Sequence, residues 1–262
     1  MVEPPLGRWR RGLRGPARRT QRTDLHLPSL AEGIRIYAIG DIHGRADLLA
    51  RMRALIDRDL EKTQPAAASL VLLGDYVDRG PDSKQVLDSL AGEPFPIPTE
   101  MLLGNHEAML LAFLENAEAG RSWIRYGGVD SLRSYDVTVD GLQNVGAIET
   151  LAERLRMALP PSHLSLLKRL KPAYRLGGYF FCHAGVRPGI PLSEQNKGDL
   201  LWIRDEFIRS EEPFEAIVVH GHTPSTEPLV RPNAIGIDTG AYLTGRLTCL
   251  VLHSSGASFL TT

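Results

Sequence analysis

Short, nearly unbroken apolar runs alternate along the chain with longer stretches whose apolar residues recur every three or four positions. Ile34-Arg35-Ile36-Tyr37-Ala38-Ile39, Ser69-Leu70-Val71-Leu72-Leu73 and Glu100-Met101-Leu102-Leu103 are runs of the first kind. Their length and their leucine and β-branched content predict buried strands. Tyr179-Phe180-Phe181-Cys182 and Ala216-Ile217-Val218-Val219 repeat the pattern, and two further strands are predicted near 234–237 and 247–252. Between the runs, Leu48, Leu49, Met52, Leu55, Ile56 and Leu60 trace one face of a helix. Val86, Leu87 and Leu90 trace a second, whose first turn suits Pro81-Asp82, and Met109, Leu110, Phe113 and Leu114 a third. Such alternation predicts an α/β fold, in which ligands bind beyond the carboxyl ends of the strands.

Residues 120–178 depart from this rhythm and read as a helical insertion packed beside the sheet and overhanging its edge. Helical stripes recur at Ile148, Leu151 and Leu155, and at Leu164, Leu167 and Leu170 behind an N-cap candidate, Ser162. Ahead of them Trp123, Tyr126, Gly127-Gly128 and Tyr135 form an aromatic, glycine-broken segment. Its rings read first as packing, and their position also makes them candidates for choosing substrate.

Composition narrows the class. With 262 residues, 43% hydrophobic and 23% charged, the chain has enough material for a well-buried core and the balance of a globular protein. A net charge of -1 conceals an asymmetry: residues 1–23 carry seven arginines against Glu3, or +6, leaving -7 for the rest. Residues 1–30 read as a flexible basic tail and 31–262 as a single domain. A mildly acidic body argues against stable nucleic-acid binding, and no run approaches the roughly 18 apolar residues of a membrane span. Cys182 and Cys249 lie inside apolar runs without metal-ligand spacing, as expected of buried thiols in a reducing, cytoplasmic setting.

The candidate chemistry sits where the strands end. Gly40-Asp41-Ile42-His43-Gly44, Gly74-Asp75-Tyr76-Val77-Asp78-Arg79-Gly80, Gly104-Asn105-His106-Glu107, His183-Ala184-Gly185 and His220-Gly221-His222-Thr223-Pro224 each follow an apolar run. Any one alone reads as an ordinary turn; together they place Asp41, His43, Asp75, Asn105, His183 and His222 at a common edge. A set of carboxylate, imidazole and amide suits manganese, iron or zinc better than calcium. Six ligands exceed what one ion with open positions needs. They suit two ions about 3.5–4 Å apart, with Asp75 between them. Arg79 adds a guanidinium suited to phosphate oxygens.

In order and spacing these motifs resemble the calcineurin-like metallophosphoesterases, and more narrowly the bacterial branch of the serine/threonine phosphoprotein phosphatase superfamily, from about residue 34 to 252. The resemblance implies a four-layer sandwich, two central mixed β-sheets flanked by helices. It implies that Asp41, His43 and Asp75 hold one metal, manganese foremost, and Asp75, Asn105, His183 and His222 the other. Pro224 stands where many nucleases and phosphodiesterases of this kind carry a further histidine, a departure that matches the phosphatase branch. The implied reaction is in-line attack of a metal-bridged hydroxide on phosphorus, with no phosphoenzyme. His106 would be the general acid with Asp78 orienting it, and Arg79, Asn105 and Arg204 would hold the phosphate. Tyr242 resembles a tyrosine overhanging such a site, with simple packing as the alternative. His220 reads as strand-end packing and Asp238 as a turn former; His26, His163 and His253 read as tail, helix surface and strand. The substrate expected is a phosphoprotein or phosphorylated small molecule. The alternative is diadenosine tetraphosphate, and a non-catalytic scaffold is disfavoured because no ligand position is lost.

Overall fold

Each apolar run read above as a strand contributes to one of two five-stranded sheets in the computed structural model, which describes residues 27–141 and 146–262. In chain order the elements are β1 (Ile34–Ile39), α1 (Ala46–Thr63), β2 (Ala67–Leu72), α2 (Ser83–Gly92), β3 (Thr99–Met101), α3 (Asn105–Glu115), α4 (Gly120–Trp123), α5 (Val129–Ser134), α6 (Ala147–Ala158) and α7 (Pro161–Arg169). There follow β4 (Ala173–Leu176), β5 (Tyr179–Cys182), α8 (Lys197–Trp202), α9 (Asp205–Ile208), β6 (Ile217–His220), β7 (Leu229–Val230), β8 (Ala234–Gly236), α10 (Ala241–Thr244), β9 (Thr248–His253) and β10 (Gly256–Thr261). The first sheet runs β10-β9-β1-β2-β3 and the second β4-β5-β6-β8-β7.

Alternation along the strands builds the layers. Ile36 and Ala38 of β1 face a buried cluster with Val71, Phe181, Val219 and Ile235, which fills the space between the sheets. Tyr37 and Ile39, one residue out of phase, join Leu48, Met52, Val86, Phe113, Leu155 and Leu167 beneath the helices on the outer face of the first sheet. Phe180, Cys182 and Val218 turn to a third cluster with Leu200, Ile203 and Phe207. Helix, sheet, sheet and helix therefore stack as four layers, because each central strand is apolar on both faces. Cys182 and Cys249 are buried free thiols.

Some boundaries differ from the sequence reading. The helical insertion ends near residue 170, since Ala173–Leu176 forms an edge strand antiparallel to β5. Gly177-Gly178 joins the two, a two-residue loop of the kind that twists with a hairpin. Helix α7 begins at Pro161, not behind Ser162, because proline at the first helical position is preset for the turn. Its inward face accordingly carries His163, Leu166 and Leu167. Of the expected tail, residues 1–26 lie outside the described residues. Leu27 and Leu30 pack on the inter-sheet cluster, and the Pro28 carbonyl accepts the Tyr179 hydroxyl at 2.9 Å.

The topology gathers the motif loops. β1, β2 and β3 are mutually parallel, as are β5 and β6, so their carboxyl ends emerge together. Ile42 N and His43 N both donate to the Asp75 carbonyl, at 3.0 and 2.8 Å, and Gly221 N donates to the His183 carbonyl at 2.8 Å.

Candidate active site

The loops that follow the strands hold unusual backbone. His43, Asp75, Asp78, Arg79 and His222 all have positive φ, between 46° and 72°. Non-glycine residues rarely sit there, and Asp and His tolerate it best. The reversals turn consecutive side chains toward one another. Gly221 is needed for the same closeness: a Cβ there would lie 2.0 Å from Asp41 Oδ1.

Asp75 is the common member. With His43 and His106 it offers ligand atoms within 4.8 Å of one another, and the same holds for Asp75 with His183 and His222. Asn105 Oδ1 stands 2.8 Å from His183 Nε2 and 3.0 Å from His222 Nδ1, which adds the amide to the second group. Asp41 belongs to neither group. Its carboxylate accepts the His222 backbone N–H at 3.0 and 3.2 Å instead. His106 joins His43 and Asp75 in the first cluster, while Asp41 reaches the second through the His222 backbone.

Ring orientation follows from carbonyl contacts. His43 Nδ1 lies 2.9 Å from the Val77 carbonyl and His183 Nδ1 3.0 Å from that of Leu73, so each ring donates there and keeps Nε2 as the free electron pair. His43 Nε2 and His222 Nε2 are buried without a hydrogen-bond partner. Burial, then repulsion from Asp238 and Asp75, pushes the Asp41 pKa well up. Burial also holds His43 and His222 well below the usual imidazole range. For Asp75 burial opposes ionisation, but His183, His106 and His43 outweigh it and keep the carboxyl well below its normal value. Unpartnered imidazole nitrogens around buried, mutually repelling carboxylates are the donor set that divalent cations satisfy.

Two further groups complete the site. His106 Nδ1 lies 2.7 Å from Asp78 Oδ2, with Nε2 unpartnered. Burial disfavours its charged form, yet the Asp75 and Asp78 carboxylates more than compensate and raise its pKa. Arg79 stacks its guanidinium 4.9 Å from the Tyr242 ring centre, and that ring lies 5.2 Å from His43, so Tyr242 lines the site. Arg204 follows the exposed Trp202, whose ring is 6.3 Å from that of His222, and its charge helps to depress the His222 pKa.

The residue sequence reasoning passed over is Glu107. Its buried carboxylate accepts backbone N–H groups from Asp75, Tyr76, Val77 and Gly104 at 2.7 to 3.1 Å. Burial, then the nearby Asp75, lifts its pKa to about 7. The available signal was the position: an acid three residues past a helix start reaches back to the first free N–H groups. The remaining readings divide, and that of His163 is corrected. Trp123 and Tyr135 are 0% and 4% exposed, too buried to meet a substrate, and only Tyr126 of the three shows its ring. His163 is not on a helix surface; it is buried, with Nδ1 2.7 Å from the Tyr135 hydroxyl and Nε2 3.0 Å from Asp88. His220 packs on Phe207, and Asp238 Oδ1 accepts Gly240 N at 2.8 Å, as turn formers do. His26 lies outside the described residues.

Comparison with known proteins supplies the family. The profile of the calcineurin-like phosphoesterases matches residues 34–251, most of the chain. This chain is a calcineurin-like phosphoesterase. The phosphoesterase is 26% identical over 234 residues to an asymmetrical bis(5'-nucleosyl)-tetraphosphatase of Anoxybacillus flavithermus, covering 81% of this chain and 88% of that protein. It is 29% identical over 219 residues to serine/threonine-protein phosphatase 1 of Salmonella typhimurium, covering 81% and 89%. Its fold matches a crystal structure of a cold-active protein tyrosine phosphatase with a TM-score of 0.57 at 16% identity, over 87% of this chain and 78% of that one. The family uses a pair of divalent metal ions, and the two clusters that share Asp75 mark where this phosphoesterase could hold them. No helix among the described residues is long and apolar enough to cross a membrane.

Proposed function

We propose that this phosphoesterase is a metal-dependent phosphomonoesterase that acts on phosphoserine and phosphothreonine in proteins. The observation that carries the reading is the buried His106–Asp78 pair, bonded at 2.7 Å with His106 Nε2 left without a hydrogen-bond partner. A serine or threonine alkoxide leaves badly unless it is protonated, whereas a nucleoside phosphate leaves without help. A site that invests a buried ion pair in proton delivery fits the ester better than the anhydride.

In this reading Asp41, His43 and Asp75 would hold one ion and Asp75, Asn105, His183 and His222 the other, with manganese first and iron or zinc as substitutes. When bound, such a pair supplies charge neutralisation and an activated water for in-line displacement. The chain's own groups do the rest. Arg79, Arg204 and Asn105 bind the phosphate oxygens, and His106 Nε2 passes its proton to the leaving oxygen while Asp78 holds the ring in place.

One observation favours a second reading, hydrolysis of diadenosine tetraphosphate: Tyr126 is 38% exposed, and its neighbour Gly127 accepts the Arg79 N–H. A ring there can stack on adenine, and several relatives, asymmetrical and symmetrical, are named bis(5'-nucleosyl)-tetraphosphatases. Turnover of a phosphothreonine peptide and of diadenosine tetraphosphate, compared with Mn²⁺ present, decides. Higher kcat/KM on the peptide is expected; a marked preference for the nucleotide overturns the first reading.

A further inference from the structure

The motif loops do not fix the proton-donating pair by themselves. Asp78 Oδ2 accepts from His106 Nδ1 and also from the Trp123 indole Nε1, at 2.8 Å. Asp78 Oδ1 accepts the Ser131 hydroxyl at 2.5 Å. The Asp78 backbone N–H donates to Ser131 Oγ and Ser83 Oγ, each at 2.9 Å. Trp123, Ser131, Ser83 and Asp78 are all at most 1% exposed.

Proton inventory fixes the direction of these bonds. An indole N–H can only donate, so Oδ2 must accept from Trp123. Two N–H donors converge on that oxygen when His106 carries a proton on Nδ1, which leaves Nε2 turned to the site. Each serine hydroxyl carries one proton. That of Ser131 goes to Asp78 Oδ1, and that of Ser83 goes to Ser131 Oγ, 2.9 Å away. The surrounding segment is shaped for this contact. The indole lies 4.9 Å from the Phe113 ring, and a Cβ on Gly128 would fall 2.5 Å from Trp123 Cδ2. Trp123 and Ser131 are both buried from solvent.

We infer that Trp123 and Ser131 are positioning residues that hold Asp78, and through it His106, as the proton donor, and that they thereby bias the site toward phosphate esters with poor leaving groups. This rests on the role proposed for His106 and deepens it. The helical segment outside the motifs becomes the part of the chain that sets leaving-group preference.

Trp123→Phe keeps the ring stacked and removes only the N–H. The lost charge-assisted hydrogen bond lowers turnover of a phosphothreonine peptide about tenfold more than turnover of p-nitrophenyl phosphate, whose phenol leaves unaided. Ser131→Ala shows the same asymmetry. In an Asp78→Asn background Trp123→Phe adds no further asymmetry, because the acceptor is already altered. A readout independent of turnover is the ¹⁵N-edited proton resonance of His106 Nδ1 in histidine-labelled protein, which shifts in both variants. Equal losses on both substrates, or an unmoved resonance, overturns the inference. A wild-type enzyme that prefers the dinucleotide instead sinks the proposed substrate while the resonance still reports whether Trp123 and Ser131 hold the pair.

Discussion

The loops at the strand ends and the helices α6 and α7 are held by opposite means. In the loops, His43, Asp75, Asp78, Arg79 and His222 occupy left-handed backbone, and buried polar side chains bond one another or the chain. Such conformations cost on the order of 1–3 kcal/mol each where the residue disfavours them, and persist only when the surroundings dictate them. In α6, by contrast, Ile148, Leu151, Ala152 and Leu155 bury one stripe and the opposite face meets water. The helices contribute burial and the loops consume it. The comparison teaches that the reactive groups are placed by hydrogen bonds reaching across the chain, on a platform stabilised elsewhere.

The sharpest way to break that contrast is Asp75→Asn, which removes the carboxylate shared by both ligand clusters. Charge stabilisation by metals amounts to several kcal/mol, so turnover falls by roughly a thousandfold, and metal content per chain falls with it. Steady-state rates and elemental analysis check both. Glu107→Gln comes next: it leaves the loop sequence intact but presents an amide NH₂ to backbone N–H groups that now point at an oxygen. Metal affinity drops about ten- to a hundredfold, as for other groups that orient ligands from behind. Metal titration is the readout, and unchanged affinity would mean the loop holds its shape without the carboxylate.

Leu155→Ala probes the other region. It opens a cavity under α6 and costs about 2–5 kcal/mol of stability, visible as a lower urea midpoint. Saturated turnover per folded molecule stays at the wild-type level; a parallel loss of kcat would show the two regions to be one unit. The smallest effect expected concerns His163, whose pKa burial depresses below 6.5 despite Asp88. The unfolded chain then takes up a proton that the folded one refuses, so stability falls as pH drops below that value and is full above it. Urea midpoints at about pH 5.5 and 7.5 measure the slope, which is shallower in His163→Gln.

Several things were legible in advance because they depend on neighbours in the chain. The apolar runs gave the central strands, and their terminal Asp, Asn and His gave the set that converges. What escaped was set by distant partners. Ala173–Leu176 lacks an apolar run and is a strand only because β5 pairs with it. His163 looked like a surface residue until Pro161 fixed where α7 begins. Trp123 read as packing, and it is packed, but its N–H meets Asp78 across 45 residues of chain. Nor does anything local say that Glu107 gathers the backbone of the Asp75 loop.

Taken alone, the sequence determined which residues end the strands, and therefore which share an edge, because parallel strands joined through helices deliver their carboxyl ends to one side. Only the tertiary structure decided that Asp41 turns to the His222 backbone, that Glu107 gathers the Asp75 loop, and that Asp78 is gripped from the helical segment. A hydrogen bond tolerates a few tenths of an ångström and a limited range of angles. Which donor meets which acceptor is thus fixed only once both sheets and their helices are packed.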